Sequence, residues 1–300
     1  MADAAIKRAT TSRMTAIGAI ALTVLLWASA FPGIRAGLEG FSPAALAALR
    51  YAVASLAFLL LAATGRILRP RPGDLARIAL AGGLGIAVYN LALNSGERSV
   101  DPGTASFLIN TGPIFAALLG ALFLREKLSR WAWLGAAVAF AGAALIGFAT
   151  AGGFHFSPDA GLVLLAAVCQ ASQFVLQKPL LARYGALSTT AFLVFAGTLL
   201  LAPFLPEGIA ALPGASRGAI QATLYLGLFP AALAYAAWSY ALAHFPVGRT
   251  TMSLYLVAPI ATGLTVVWFS IWPAPLALLG GVFAIAGVVI INTLGRQKSR

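Results

Sequence analysis

The feature that most constrains this chain is a series of unbroken apolar runs, each about 20 residues long, joined by short polar connections. A helix needs about 20 mostly apolar residues to cross the hydrocarbon core of a bilayer. The strands of an outer-membrane barrel would instead show about ten residues of alternating polarity. Only 9% of the residues are charged, whereas soluble domains average about 25%. The sequence therefore predicts an all-α membrane protein.

Ten runs are long enough to be transmembrane helices, and the connections between them leave no room for a soluble domain. The predicted spans are residues 15–35, 44–65, 75–96, 102–124, 131–150, 160–180, 187–205, 217–243, 247–271 and 275–294.

The distribution of lysine and arginine predicts the orientation, because cytoplasmic loops of membrane proteins are enriched in these residues. If the N terminus is cytoplasmic, that side carries sixteen of the 20 basic residues, the outer side carries Arg35, Arg98 and Arg217, and Arg50 falls within the second span. Both termini are then cytoplasmic. This pattern is typical of a multi-pass protein of a bacterial-type inner (plasma) membrane.

Several other functions find no support in the residues. The net charge of +12 comes from clusters between apolar runs, not from a continuous basic surface, so no nucleic-acid partner is indicated. The lone Cys169 and two distant histidines predict neither a disulfide nor a metal site. A phosphate-binding loop, a nucleophile elbow and a catalytic carboxylate pair are all missing, so we expect no cofactor and no enzyme. An intramembrane lipid-handling enzyme or a channel remains the alternative from another class.

The two halves of the sequence resemble one another, in the same order along the chain. Residues 27–35 (WASAFPGIR) align with 170–178 (QASQFVLQK) at an offset of 143. Further pairs follow at offsets of 145 and 146: Tyr89 with Tyr235, Pro113 with Pro259, and Gly135, Ala139 and Gly142 with Gly280, Ala284 and Gly287. We therefore predict two five-helix repeats, 15–150 and 160–294. Because five is odd, the second repeat has inverted topology, as in many secondary transporters.

The WASAF segment, the Pro113 region followed by LREK at 124–127, and the glycine-rich fifth and tenth spans resemble the EamA-domain branch of the drug/metabolite transporter superfamily. Within it, the chain resembles the YddG-type amino-acid exporters. The resemblance implies export of amino acids, aromatic and other neutral ones, or of related metabolites through a cavity open alternately to each side. The expected partners are a small-molecule substrate and the lipid bilayer, and the expected state is a monomer or weak oligomer.

Polar groups at membrane depth usually face a bundle interior or a wet cavity. Here they recur at helical spacing and give the candidate substrate-binding residues: Trp27, Tyr89, Asn90, Asn94, Asn110, Gln170, Gln173, Gln177, Tyr235 and Trp238. Their amides and hydroxyls could bond the ammonium and carboxylate groups of a zwitterion, while aromatic faces favour cations and apolar groups. The alternative is that the amides only join neighbouring helices.

Two prolines and two glycine stripes complete the pattern. Pro113 and Pro259 each remove a backbone donor inside a predicted span, so they are either gating hinges or static bends. The repeated Gly-x3-Ala-x2-Gly stripes of the fifth and tenth spans allow close backbone approach and predict packing surfaces.

All eight acids fall outside the predicted hydrocarbon core. Proton-coupled carriers commonly use a carboxylate there, so a facilitative carrier is predicted, with a proton-coupled drug or metabolite efflux carrier as the alternative. Arg50 lies about 10 Å into the second span, at 1.5 Å per helical residue from Pro43. We expect it to snorkel outward to Glu39 or Glu97; binding a substrate carboxylate is the other possibility.

Overall fold

The computed structural model describes residues 2–100, 102–151, 158–269, 272 and 274–295, and all regular structure in these ranges is helical. The helices are α1 (Ala2–Ala28), α2 (Ala30–Leu38), α3 (Pro43–Ala63), α4 (Leu75–Gly82), α5 (Tyr89–Gly96), α6 (Pro102–Ile109), α7 (Gly112–Leu124), α8 (Arg130–Ala151), α9 (Pro158–Leu201), α10 (Leu205–Ala211), α11 (Arg217–Leu226), α12 (Tyr235–His244), α13 (Val247–Thr251), α14 (Val257–Phe269) and α15 (Pro275–Thr293).

Eight stretches of the described chain are long and apolar enough to cross a membrane: Ser12–Leu38, Pro43–Ala63, Pro72–Gly96, Phe107–Leu124, Arg130–Ala149, Asp159–Gly214, Arg217–His244 and Pro275–Thr293. The sixth is 56 residues long, more than twice what one crossing requires. It is interrupted at Gly185, whose φ of 73° is a left-handed conformation that glycine adopts without a steric penalty. The all-helical, membrane-type architecture agrees with the sequence prediction.

Helix α8 packs against α15 through the two glycine stripes. A Cβ atom added at Gly142 would lie 2.4 Å from the backbone nitrogen of Ala284, and one added at Gly287 would lie 2.4 Å from the backbone oxygen of Gly135. Such distances leave no space for a side chain, so the two backbones are in direct contact. The packing role predicted for these stripes is confirmed.

Two segments of π-helix occupy corresponding places in the two halves. Gly83–Val88 lies between α4 and α5, and Gly227–Ala234 lies between α11 and α12. Each ends directly before one of the aligned tyrosines, Tyr89 and Tyr235. The wider turn of a π segment changes the direction in which the following side chains point, and such segments are frequent at functional sites.

The bundle has two ends with different chemistry. We call "basic end" the end that carries the connections 64–74, 125–129 and 245–246, and "opposite end" the one that carries residues 39–42, 97–100 and 215–216. At the basic end, the side chain of Glu126 reaches the start of α13 and Lys178 reaches the last turn of α12. These contacts join the first half of the chain to the second, and α9 to α12.

Candidate functional site

A central cavity lies between the two halves of the chain. Its walls are mostly apolar, with a few polar groups, as is usual for small-molecule sites. The lining residues are Trp27, Ala30, Phe31, Ile34, Arg50, Tyr89, Leu93, Ile109, Asn110, Pro113, Gln170, Tyr235, Leu254 and Val257. Polar groups therefore enter the cavity from α3, α5, α9 and α12, and from Asn110 in the connection between α6 and α7.

The two aligned tyrosines both reach this cavity, because each begins the α-helix that follows a π segment. Gln170 of α9 lies beside the Tyr89 hydroxyl. The Tyr235 hydroxyl points to the backbone oxygen of Gly85, at 3.4 Å, and so to the π segment of the other half. The two π segments thus place one tyrosine from each half in a shared cavity.

A cluster of four aromatic rings lies next to the cavity on the side of the basic end. The ring of Trp27 is stacked on Phe174 at an interplanar angle of 7°, and its centroid lies 5.3 Å from Tyr235 and 5.4 Å from Trp238. Trp238 is 0% exposed. Trp238 lies one turn before Leu242, whose carbonyl accepts a hydrogen bond from Lys178. We call these four rings the aromatic cluster; Trp27 and Tyr235 line the cavity, and Trp238 lies on its side toward the basic end.

Five of the ten predicted binding residues line the cavity: Trp27, Tyr89, Asn110, Gln170 and Tyr235; the predicted hinge Pro113 lines it as well. Two of the others bond neighbouring groups. Asn90 donates to the carbonyl of Ile86 at 2.7 Å and to the Tyr51 hydroxyl at 3.2 Å, and Asn94 donates to the carbonyl of Pro43 at 3.0 Å.

The remaining predicted residues lie away from the cavity walls. Gln173 and Gln177 are buried on the same face of α9 as Gln170, and their side-chain nitrogen and oxygen atoms have no hydrogen-bond partner in the described chain. Gln173 packs directly against Gly85 of the first π segment. Trp238 belongs to the aromatic cluster, and Pro259 lies near Gly281 of α15.

The most informative cavity residue is Arg50, for which the sequence predicted an outward-snorkelling side chain. That prediction is wrong, because the Arg50 side chain is only 4% exposed. It also makes no ion pair with Glu39 or Glu97. Among the described residues, the ion pair within 4.0 Å is the one between Arg183 and Asp74. The Arg50 side chain instead forms part of the wall of the central cavity, on a stretch of α3 whose backbone is in contact with the second π segment, since a Cβ added at Gly227 would lie 2.7 Å from the Arg50 carbonyl oxygen. The depth of a residue in its own helix cannot reveal such packing against a segment distant in the sequence.

A second cavity opens at the opposite end and adjoins the central one. It is lined by Phe31, Arg35, Leu38, Glu39, Glu97, Arg98, Ser99 and Val100. Phe31 lines both cavities, and on α5 Leu93 of the central cavity lies one turn before Glu97. This second cavity is charged, whereas the central one is mostly apolar. Phe31 thus lies between the charged cavity of the opposite end and the central cavity beside the aromatic cluster.

The described residues contain no group of three or more histidine, cysteine, aspartate or glutamate side chains able to hold a metal ion. Cys169 is buried as a free thiol. The site therefore consists of hydrogen-bonding groups, aromatic faces and one arginine, which suits binding of a small amphiphilic molecule.

Comparison with known proteins identifies relatives over nearly the whole chain. The profile of the EamA-like transporter family matches residues 14–148 and again residues 160–293. A "Probable terminal-alkyne amino-acid exporter" of Streptantibioticus cattleyicolor is 46% identical over 287 residues, covering 94% of this chain and 96% of the relative. The "Uncharacterized transporter YdfC" of Bacillus subtilis is 40% identical, covering 89% of this chain and 87% of the relative.

A more distant relative is the "Probable amino-acid metabolite efflux pump" of Salmonella typhimurium, which is 25% identical and covers 93% of this chain and 95% of its own. A solved crystal structure has the same fold, with a TM-score of 0.75 over 96% of this chain and 98% of the other, at 19% sequence identity.

Proposed function

This chain belongs to the EamA-like transporter family, and we propose that it exports neutral amino acids or closely related small metabolites across the inner membrane by alternating access. The observation that carries the proposal is the central cavity, in which apolar walls from both halves surround Arg50 and a few amide and hydroxyl groups. Such a mixture fits a zwitterion with an apolar side chain. The name of the 46% identical relative supports an amino acid as the substrate.

We further propose ten spans arranged as two five-helix repeats, 15–150 and 160–294, of inverted topology. The double match of the family profile supports the duplication. The break at Gly185 supports two crossings within α9, and the segment from α13 through α14 supplies another. The lysine and arginine bias supports placing both termini, and hence the basic end, in the cytoplasm.

We propose facilitated transport, because none of the described residues that line the central cavity carries a carboxylate. The charged cavity at the opposite end contains Glu97 close to this wall, which keeps a proton-linked carrier as the second candidate. Uphill accumulation driven by an imposed pH gradient would favour that second candidate.

Counterflow in proteoliposomes tests the proposal. Vesicles that contain the purified full-length protein and an excess of unlabelled amino acid are mixed with radiolabelled L-leucine, L-phenylalanine or L-propargylglycine, the last having a terminal alkyne. We expect saturable uptake of at least one of them. Flux that rises linearly without saturation would indicate a channel, and absence of flux with every amino acid tested would overturn the exporter.

A variant pair locates the site. Gln170→Ala removes an amide from the cavity wall, and loss of one hydrogen bond of about 1 kcal/mol predicts a roughly fivefold higher half-saturating concentration. Gln221→Ala is the matched control, because Gln221 is exposed on α11. Equal kinetics for the two variants would remove Gln170 from the binding site.

A further inference from the structure

Arg50 is a buried cation in an unusual position. It lies on α3, seven residues after Pro43, and its side chain forms part of the wall of the central cavity. Its Nε and Nη1 atoms are buried and have no hydrogen-bond acceptor among the described residues. Since an unpaired buried charge is costly, a cation held in this way within the membrane indicates a function.

The neighbours of Arg50 do not neutralise it. Its guanidinium carbon lies 5.4 Å from the centroid of the Tyr51 ring, a cation–π contact that leaves the N–H groups of Nε and Nη1 without acceptors. Glu39 is exposed at the opposite end, and the half-buried Glu97 is close enough to feel the charge of Arg50 but makes no ion pair with it in the described structure. The positive charge is therefore available to a ligand.

The surroundings of Arg50 also indicate what the rest of that ligand contains. Other parts of the cavity wall are apolar, with Phe31 and Ile34 from α2, and Leu254 and Val257 from the second half of the chain. A guanidinium binds carboxylate strongly, because its donors match the geometry of the two carboxylate oxygens. An anionic group at one side and an apolar group at the other are thus both accommodated.

We propose that Arg50 binds the carboxylate of the transported molecule, so that this cavity selects molecules that have a free carboxylate and, apart from it, a small apolar side chain. This role of Arg50 rests on the proposed function, and it names the residue that determines the class of substrate. An amino-acid amide or ester, which lacks the negative charge, should be a poor ligand even though its side chain fits equally well.

The test compares L-leucine with L-leucinamide, and L-propargylglycine with its amide, as competitors in counterflow and as ligands of the purified protein. Binding is followed by tryptophan fluorescence, since Trp27 lines the cavity. For the unmodified chain we expect each acid to bind at least tenfold more tightly than its amide. Arg50→Gln should weaken the acids at least tenfold and leave the amides within twofold, and Arg50→Lys should fall between the two.

Arg217→Gln is the matched control, because Arg217 is an exposed arginine at the start of α11 and is not among the residues that line the central or the charged cavity. It should keep the ratio of acid to amide affinity of the unmodified chain. If Arg50→Gln fails to fold, as judged by its size-exclusion profile, Arg50→Lys decides the matter, since it keeps the charge but loses the forked donors.

The outcomes separate this proposal from the one on which it rests. An unmodified protein that binds acids in preference to amides but shows no flux would overturn transport and retain Arg50 as the carboxylate site. An unmodified protein that transports amino acids without preferring the acid would overturn the role of Arg50 alone. Equal weakening of acid and amide by the Arg50 variants would also overturn it, because it would reveal a purely structural role.

Discussion

Carboxylates at the two ends of the bundle are bonded very differently. At the basic end, Glu126 accepts hydrogen bonds from the backbone nitrogens of Val247 at 2.7 Å and Gly248 at 2.9 Å, and Asp74 accepts from Arg183 and the Tyr184 hydroxyl, each at 2.5 Å. At the opposite end, one buried carboxylate oxygen of Glu97 has no donor in the described chain.

The two ends of the bundle also differ in shape. At the basic end, Glu126 joins the first half of the chain to the second and Lys178 joins α9 to α12. The aromatic cluster lies between these contacts and the centre of the bundle. The opposite end has the charged cavity that adjoins the central one. A further cavity lies toward the basic end, between α4, α7 and α9, but it shares no lining residue with the central one. We therefore interpret the structure as the conformation in which the basic end is closed and the central cavity faces the opposite end. The alternating access that we propose would then require breaking the contacts of the basic end.

The largest effect is expected from Glu126→Ala, because it removes both hydrogen bonds to the start of α13. Bonds to charged groups contribute about 1.5–3 kcal/mol each, so the closed state should lose at least a factor of ten in relative population. Spin labels at the exposed positions Lys127 and Ala243, in a Cys169→Ser background, measure the separation across the basic end. We expect a new population at longer distance.

The control for that measurement is Glu207→Ala, which removes an exposed carboxylate from α10. It should leave the distance distribution unchanged. An identical distribution for the Glu126 variant and the unmodified chain would show that this carboxylate does not hold the basic end closed.

A smaller effect is expected from Lys178→Met. The Lys178 ammonium donates to the carbonyl oxygens of Leu242 and Phe245, the latter at 2.6 Å, and so satisfies the C-terminal end of α12. Methionine keeps the apolar length of the side chain and loses the donors, so we expect a loss of about 1–2 kcal/mol. Thermal unfolding in detergent should show a lower Tm. Lys127→Met, at an exposed position, should not lower it; equal shifts would contradict the role of Lys178.

Much of the scaffold could be predicted from the sequence, because lipid imposes helices on apolar runs and close packing imposes small residues. The Gly142 and Gly287 stripes are an example: their spacing alone indicates a backbone contact, and α8 and α15 make it. The two π segments were not predicted, although Tyr89 and Tyr235 were aligned as equivalents. The choice between an α and a π turn depends on the packing around glycines such as Gly83 and Gly227 and has no periodic sequence signal.

The site was only partly predictable for a related reason. Helical spacing places Gln170, Gln173 and Gln177 on one face, but only Gln170 lies at the depth where the neighbouring helices separate. Gln173 instead meets Gly85, a contact between residues 88 positions apart that spacing cannot reveal. Arg50 shows the same limit, because its depth in α3 does not reveal that its side chain lines a cavity shared with the other half of the chain.

A pH effect is expected at the opposite end. Glu97 lies just beyond the stretch Pro72–Gly96; burial raises the pKa of its carboxyl to about 8, and the charge of Arg50 opposes that rise. At pH 7 the carboxyl is largely protonated; between pH 7 and 9 it ionises and competes with a substrate carboxylate for Arg50. We expect the half-saturating concentration of L-leucine in counterflow to increase about threefold over that range, since an interaction change of about 0.7 kcal/mol corresponds to that factor.

The control for the pH effect is Glu97→Gln, which cannot ionise and should give a half-saturating concentration that is constant from pH 7 to 9. A persistent pH effect in the Glu97 variant would assign the titration to another group.

The smallest effect is expected from Ser99→Ala. The Ser99 hydroxyl donates to the Asp159 carboxylate and so links the connection after α5 to the start of α9 at the opposite end. The serine is exposed, so water replaces the lost bond and the net contribution should be below about 0.5 kcal/mol. The separation of the spin labels at the basic end should not change, and transport should stay within twofold. If Ser99→Ala changed the label separation as much as Glu126→Ala does, both ends would stabilise the conformation equally. The solvated hydrogen bond of Ser99 at the opposite end would then contribute as much as the two hydrogen bonds of Glu126 at the basic end.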